Sequence, residues 1–215
     1  MKRGAIFDMD GTLLDTEKFY RKGWLEVADS FGLERNVNLP IAMSGADSKR
    51  MSEILHRFYP NVDAEEYGKR VRAIVESESK KELRLMNGVL ELLDYFKSQG
   101  IVMAVASSSR ISRVEANIKQ SGIADYFKII LGGNQIEHGK PAPDIFLKAA
   151  EELKLQPNEC YVFEDSINGV RAGHAAGCDT IMVVDLTEPT EEIKPLCQIY
   201  NSMFEVLEAI KSGKI

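Results

Sequence analysis

The feature that most restricts the fold of this chain is a short apolar run that ends in two carboxylates. Gly4 to Phe7 is apolar, and residues 8–12 then read Asp-Met-Asp-Gly-Thr. Open parallel sheets bind ligands at the carboxyl ends of their strands. A buried strand that runs into Asp8 and Asp10 therefore predicts a functional site at that edge. An ordinary Asp-Gly turn is the alternative explanation of the same residues.

Later apolar runs predict more strands, and the stretches between them predict helices. The predicted strands are Ile101 to Ala106, Ile129 to Leu131, Tyr161 to Phe163 and Thr180 to Val184. The predicted helices, with apolar residues three and four positions apart, are Arg110 to Gln120, Asp144 to Leu153 and Ile167 to Ala176. Gly122 and Gly177 stand where two of these helices should end. The alternation predicts an α/β fold, a doubly wound parallel sheet covered by helices on both faces.

The segment between the first two predicted strands is far longer than one crossover helix requires. From about Thr16 to about Leu85 its pattern is helical, and we expect Pro40 and Pro60 to divide it into separate helices. We therefore predict a core formed by residues 1–15 and 86–215, with an inserted small α-helical cap domain formed by residues 16–85. Residues 186–195 should form a surface loop, and Ser202 to Ile210 a final helix.

Composition excludes several classes of protein. The formal charge of -6 and the isoelectric point near 5.3 oppose a nucleic-acid partner, which would need a basic face. No apolar run has the length that crosses a bilayer, and the apolar start breaks at Asp8, too early for a secretory leader. The three cysteines are widely spaced and show no metal or disulfide pattern. These features predict a cytoplasmic protein with no membrane partner.

A second acidic pair, Glu164-Asp165, follows the predicted strand Tyr161 to Phe163. A parallel sheet would bring it to the edge where Asp8 and Asp10 lie. Close carboxylates repel one another when ionised unless a cation compensates them. Mg²⁺ prefers oxygen ligands and binds through one or two carboxylates together with phosphate and water. The alternative is that this pair merely begins a helix that Ser166 caps.

Two more segments could bind a phosphate group. Residues 106–110 read Ala-Ser-Ser-Ser-Arg after the second predicted strand, where the hydroxyls of Ser107 and Ser108 and the following helix amides would form an anion site. Lys140 lies in a proline-rich loop, from which its ammonium could neutralise both phosphate and Asp8. The alternatives are helix-capping serines and an ordinary surface lysine.

Together these four segments resemble, in order and spacing, the haloacid dehalogenase superfamily of phosphohydrolases over essentially the whole chain. The helical insertion resembles the subfamily with a small α-helical cap, which contains beta-phosphoglucomutases and sugar-phosphate phosphatases. The resemblance implies that Asp8 is the nucleophile and a Mg²⁺ ligand. It also implies that Asp10 is the general acid and base and binds the metal through its backbone carbonyl.

The same resemblance implies roles for the remaining motif residues. Ser107 and Lys140 would hold the transferring phosphoryl oxygens, Asp165 would bind Mg²⁺, and Glu164 would bind Mg²⁺ or orient its water ligands. The cap selects the substrate in this group, and Tyr20, Lys49 and Arg50 are candidate contacts from the cap.

The resemblance implies a Mg²⁺-dependent phosphatase that hydrolyses a small phosphorylated metabolite, such as a sugar or polyol phosphate, through an aspartyl-phosphate intermediate. The alternative is beta-phosphoglucomutase, which interconverts beta-glucose 1-phosphate and glucose 6-phosphate. A typical mutase has a cap histidine where this chain has Tyr20, and a phosphate-binding arginine near Ser48, where Lys49 and Arg50 follow here in a different order. Both departures favour hydrolysis. Oligomeric state stays undecided.

Overall fold

The computed structural model of the chain describes residues 1–44, 46 and 48–215, and for Ser48 and Lys49 it describes the backbone alone. Six parallel strands form one sheet in the order β3-β2-β1-β4-β5-β6. The strands are β1 (Gly4–Phe7), β2 (Val102–Ser107), β3 (Ile129–Gly132), β4 (Cys160–Glu164), β5 (Asp179–Val183) and β6 (Gln198–Tyr200). The chain winds outward from β1 in both directions, so the predicted doubly wound α/β fold is confirmed.

Helices separate the first five strands and fill the long insertion. They are α1 (Glu17–Ser30), α2 (Asn38–Met43), α3 (Ser48–Phe58), α4 (Ala64–Lys81), α5 (Val89–Ser98), α6 (Ile111–Gln120), α7 (Asp144–Leu153), α8 (Ile167–Ala175) and α9 (Met203–Lys211). Gly122 and Gly177 follow α6 and α8 with φ angles of 75° and 80°. Only glycine adopts this left-handed conformation without a steric penalty, so the predicted ends of both helices are confirmed.

Two apolar clusters cover the two faces of the sheet. Ala5 and Phe7 of β1 belong to a cluster with residues from α5, α6 and α9, whereas Ile6 belongs to a cluster with α7 and α8. Successive side chains of a strand point to opposite faces. This alternation explains why every residue of β1 is buried and why its sequence is continuously apolar.

The insertion between β1 and β2 consists of α1 to α4 and has an apolar cluster of its own. Tyr67 is fully buried there, stacks against Trp24 and donates its hydroxyl to the Trp24 carbonyl at 2.7 Å. Pro60 lies between α3 and α4, as predicted. The expectation for Pro40 is wrong, because Pro40 lies in the first turn of α2. A backbone N–H has no intrahelical partner in that turn, so proline is tolerated there.

The chain crosses between the insertion and the core at two adjacent segments. Leu14 forms an isolated antiparallel bridge with Leu85. Asp15 N donates to the Arg84 carbonyl at 3.0 Å, and Met86 N donates to the Leu13 carbonyl at 2.9 Å. The crossing lies where the boundaries at residues 15–16 and 85–86 were expected. The division of the chain into two domains stays a prediction.

The C-terminal part of the chain departs from the expectation at one element. β6 adds a strand at the sheet edge, and it is absent from the sequence prediction because three residues are too few to show an alternating pattern. The predicted final helix is confirmed as α9, whose N-cap Ser202 accepts a hydrogen bond from Glu205 N. Among the described residues, no helix is both long enough and apolar enough to cross a bilayer.

Candidate active site

The central strands of the sheet deliver the predicted site residues to one edge. Asp8 follows β1 directly, and its backbone N donates to the Phe163 carbonyl of β4 at 2.9 Å. Ser107 is the last residue of β2, and Glu164 is the last residue of β4. Both strands pair with β1, so residues far apart in sequence lie side by side.

Lys140 joins these strands from the loop that follows β3. Its side chain is 1% exposed, and its Nζ atom lies 2.5 Å from Asp8 Oδ1 and 2.5 Å from Glu164 Oε1. It also donates to the Ala106 carbonyl at 3.2 Å. Burial alone would lower the pKa of the Lys140 ammonium, but the two carboxylates raise it above its usual value. Lys140 is therefore a buried cation and not a surface lysine.

Burial dominates the electrostatics of Asp8. It raises the pKa of the Asp8 carboxyl to about 7, while the nearby Lys140 ammonium opposes that rise and Glu164 adds to it. A carboxylate is poorly solvated when buried, so the ionised nucleophile depends on nearby positive charge. One cation shared between two carboxylates leaves a deficit of positive charge at this edge.

Three buried carboxylates form a group with the geometry of a metal site. One oxygen from each of Asp8, Glu164 and Asp165 lies within 4.8 Å of the others. Thr12 Oγ1 donates to Asp165 Oδ1 over a long 3.4 Å. Burial first, and then the carboxylates of Glu17 and Glu164, raise the pKa of Asp165 well above its usual range. Excess negative charge and oxygen ligands fit a hard divalent cation such as Mg²⁺.

Within this group, Glu164 already has partners on both oxygens. Oε1 binds Lys140, and Oε2 accepts hydrogen bonds from Asp165 N, Ser166 N and Ser166 Oγ. Ser166 also caps α8, since its Oγ accepts a hydrogen bond from Gly169 N at 3.0 Å. The capping by Ser166 is confirmed, whereas the role of Glu164 and Asp165 in a metal site stays a prediction. Glu164 is arranged to fix Lys140 in place.

Two glycines allow the acidic residues to approach the backbone this closely. Gly11 has a φ of 81°, and a Cβ atom there would lie 2.4 Å from Asp165 Oδ2. A Cβ atom at Gly169 would lie 1.8 Å from Glu164 Cδ. Neither position has space for a side chain, so only glycine permits this close approach of the carboxylates to the backbone.

Asp10 does not belong to the group formed by Asp8, Glu164 and Asp165, and it has a different set of partners. Its Oδ1 atom accepts from Thr16 Oγ1 at 2.6 Å and from Arg113 Nη2 at 3.0 Å. Its Oδ2 atom accepts from Ser109 Oγ at 3.1 Å. The two aspartates of the first motif therefore occupy distinct polar environments, which suits two different chemical roles.

The serine segment at the end of β2 lies directly against the loop that follows β3. Ser107 is 1% exposed, and its Oγ atom accepts a hydrogen bond from Ser109 N at 3.1 Å. A Cβ atom at Gly133 would lie 2.4 Å from the Ser108 carbonyl oxygen, so the two loops are in direct contact. The position of Ser107 beside Asp8 agrees with a phosphate-binding role, which stays a prediction together with that of Ser108.

The three candidates from the cap have different outcomes. Tyr20 lies near the site, because its hydroxyl accepts a hydrogen bond from Arg113. Arg50 lines a surface depression on α3 together with Glu53 and Arg57. The side chain of Lys49 lies outside the described residues. Contact of any of the three with a substrate stays a prediction.

Sequence reasoning missed two charged residues at this site. Burial first, and then the carboxylates of Asp10 and Asp185, raise the pKa of Glu17 well above its usual range. A glutamate at the start of α1 is typical of an ordinary helix N-terminus, although its position directly after the first motif was a usable signal. Arg113 had no local signal, because one basic residue on an amphipathic helix is typical of a solvated face.

Comparison with known proteins agrees with the geometry. Residues 5–183 match the family model described as haloacid dehalogenase-like hydrolase. The fructose-1-phosphate phosphatase YqaB of Escherichia coli is 35% identical over 189 residues, which cover 84% of this chain and 95% of that protein. A phosphorylated carbohydrates phosphatase of Thermotoga maritima is 33% identical over 178 residues, or 82% of each chain.

A solved structure extends the likeness to the whole fold. The crystal structure of a putative beta-phosphoglucomutase from Thermotoga maritima superimposes with a TM-score of 0.76 at 29% identity, covering 99% of both chains. This structure is therefore similar to the chain over its core and its helical insertion alike.

Proposed function

The chain belongs to the family of haloacid dehalogenase-like hydrolases, and on that premise we propose that it is a Mg²⁺-dependent phosphatase of small phosphorylated carbohydrates. One observation carries the proposal. Asp8 stands at the end of β1, 2.5 Å from the buried Lys140 ammonium and within a group of carboxylates that lacks enough positive charge. This arrangement supports a role for Asp8 as the nucleophile, beside a fixed cation and carboxylates that would hold a metal ion together with the substrate phosphate.

In the first step an oxygen of Asp8 attacks phosphorus, and the bond from phosphorus to the ester oxygen breaks. Asp10, which must take up a proton before the reaction, gives that proton to the departing oxygen, so an alcohol leaves and Asp8 carries the phosphoryl group. Lys140 and Ser107 hold the phosphoryl oxygens during the transfer, where positioning and electrostatics supply most of the catalysis. The product of this step is an aspartyl phosphate at Asp8.

In the second step Asp10, now ionised, removes a proton from a water molecule. The water oxygen attacks phosphorus, the bond to Asp8 breaks, and inorganic phosphate leaves. Asp10 is thereby protonated again, and Asp8 is restored as a carboxylate. A single aspartate serves both steps because its proton is lost in the first and regained in the second.

The residues present fit Mg²⁺ held by the side chains of Asp8 and Asp165 and by the Asp10 carbonyl. When bound, Mg²⁺ supplies positive charge that offsets these carboxylates and the substrate phosphate. Lys140 holds the Asp8 side chain, and Glu164 in turn holds Lys140.

Relatives guide the choice of substrates for a test. We expect the wild type, with Mg²⁺, to release phosphate from some members of a panel of sugar, polyol and glycolate phosphates that includes fructose 1-phosphate. Asp8→Asn should lose at least about 10³-fold in rate, because the amide is not a nucleophile. Unchanged far-ultraviolet circular dichroism would show that the variant is folded. Wild-type rates in Asp8→Asn would refute the role of Asp8.

Beta-phosphoglucomutase remains the second candidate, because a putative member is among the similar structures. The assay that separates the two supplies beta-glucose 1-phosphate with a trace of the bisphosphate. A mutase forms glucose 6-phosphate, whereas a phosphatase releases inorganic phosphate. Exclusive formation of glucose 6-phosphate would replace the first proposal by the second.

A further inference from the structure

Arg113 of α6 binds side chains from three parts of the chain. Its Nη2 atom lies 3.0 Å from Asp10 Oδ1, and its Nη1 atom donates to Ser109 Oγ at 2.9 Å. The same Nη1 atom donates to the hydroxyl of Tyr20, and the guanidinium lies 5.0 Å from the centre of the Tyr20 ring. The segment after β1, the segment after β2 and helix α1 therefore meet at one guanidinium.

The two aspartates of the site form ion pairs with different basic residues. Among the side chains that the structure describes, Arg113 is the only basic group that forms an ion pair with Asp10. Lys140 instead pairs with Asp8 and Glu164. The Arg113 side chain is 27% exposed and that of Asp10 is 12% exposed, so the pair is better shielded than a surface salt bridge.

The shape of the guanidinium matters for this arrangement. Arginine presents several N–H donors in a rigid planar fork, so it can bind a carboxylate on one side and two hydroxyls on the other. A lysine ammonium at the same place would supply the charge without the fixed directions. The planar group therefore sets the angle at which the Asp10 carboxylate is held.

Position is critical for a group that must pass a proton to a leaving oxygen. A side chain free to rotate spends time in several staggered conformations, and a shift of about 1 Å in a reacting group can cost about 100-fold in rate. Thr16 and Ser109 also bind Asp10, but both are small hydroxyls. Arg113 adds a charged contact and a link to Tyr20, which lies on α1 of the helical insertion.

We propose that Arg113 is a positioning residue for the reaction, which orients the Asp10 side chain for proton transfer and is itself held in place by Tyr20. This role rests on the proposed function, because it requires Asp10 to act as the general acid. It assigns Tyr20 to the support of Arg113, in addition to any contact that Tyr20 makes with a substrate.

The test compares two classes of phosphate ester. An alkyl phosphate, such as a sugar phosphate from the panel, needs a proton on its leaving oxygen, whereas p-nitrophenyl phosphate releases a stable anion and does not. The quantity measured is kcat/KM with Mg²⁺, which covers the steps up to departure of the leaving group. The variants are Arg113→Met, Arg113→Lys and Tyr20→Phe, with Arg171→Met, which removes an exposed ion pair with Glu192, as the control.

We expect Arg113→Met to lower kcat/KM for the alkyl ester by about ten- to hundredfold, part of the usual contribution of general acid catalysis. For p-nitrophenyl phosphate the loss should be less than about threefold. Arg113→Lys and Tyr20→Phe should also lower the ratio of kcat/KM for the alkyl ester to kcat/KM for p-nitrophenyl phosphate. The decrease should be smaller, because each variant keeps part of the contacts between Arg113, Asp10 and Tyr20. Arg171→Met should leave both values unchanged.

Equal losses on the two esters, or no loss on either, would overturn the positioning role, because a structural defect does not depend on the leaving group. A lost contact with a sugar would instead depend on the sugar, so a selective loss that appears with a sugar phosphate but not with a glycolate phosphate would overturn the role as well. If Arg113→Met does not fold, Tyr20→Phe decides the question, and an unchanged ratio there overturns the proposal. A wild type that hydrolyses neither ester would instead refute the proposed function, so the two failures are distinguishable.

Discussion

Asp8 has a raised pKa, and this predicts how the stability of the metal-free protein depends on pH. The folded protein holds a proton on Asp8 up to a pKa of about 7, whereas the ordinary value is 3.8. Between these values the folded state binds more protons than the unfolded state, so the free energy of unfolding falls as pH rises. The pKa of Asp165 is shifted in the same direction by burial and neighbouring carboxylates.

We therefore expect the melting temperature of the metal-free protein to fall between about pH 5 and about pH 7, where Asp8 is protonated in the folded state and ionised in the unfolded state. Mg²⁺ should raise it more at the upper pH, where the carboxylates that bind the metal are ionised. Asp165→Asn should be more stable than the wild type without metal at the upper pH, and should respond less to Mg²⁺. A Mg²⁺ effect of equal size at both pH values would contradict this account.

The site residues that the sequence predicted and those that it missed differ in their position on the secondary structure. Asp8, Ser107 and Glu164 each lie at or just after the end of a strand, so the strand pattern alone placed them at one edge. Arg113 reaches Asp10 from the first turn of α6, and Glu17, the other missed residue, lies at the start of α1. Such contacts depend on how helices pack on the sheet, which local pattern does not contain.

At the scale of secondary structure, the start of α8 is packed against the end of β4 without space for a methyl group. Gly169→Ala should destabilise the protein by about 1–3 kcal/mol and lower the rate of phosphate release, because its Cβ atom displaces the Glu164 carboxylate that binds Lys140. Chemical denaturation and phosphate release measure the two effects.

Gly68→Ala on α4 is the matched control. Its Cβ atom would meet the mobile end of Arg72, at 3.1 Å from Nη1, and alanine forms helices better than glycine. Its free energy of unfolding and its rate of phosphate release should therefore equal or exceed those of the wild type. Equal behaviour of the two variants would contradict the close packing of α8 on Glu164.

The strands and helices also differ in how well they could be predicted from the sequence. The five strands with apolar runs were predictable because parallel strands are buried on both faces. β6 has only three half-buried residues, and Pro40 could stand in a break or in a first helical turn with the same sequence around it. Their placement depends on partners that are distant in the chain.

At the scale of the whole molecule, the separate apolar cluster of α1 to α4 predicts independent motion of the insertion. Its buried residues pack among themselves, and the chain crosses to the core at two paired segments. We expect the amide hydrogens of α1 to α4 to exchange as a group, faster than those of β1, β2 and β4. α9 lies at the surface but packs on the core cluster, so it should exchange with the core.

Hydrogen exchange followed by mass spectrometry measures these rates. If α1 to α4 were protected to the same degree as β1 and β4, the division at residues 16–85 would be wrong. The strand order and the position of the site at the carboxyl edge of the sheet would still hold, because both follow from the sheet topology and not from the domain boundary.

The most direct test of the central claim is detection of a phosphoryl group on Asp8. Asp10→Asn should still react with p-nitrophenyl phosphate, which needs no proton, but it lacks the base for the second step, so the aspartyl phosphate accumulates. Rapid quenching, borohydride reduction and peptide mass spectrometry should then find homoserine at position 8. Rapid release of p-nitrophenolate without modification of Asp8, or with modification of another residue, would contradict the account.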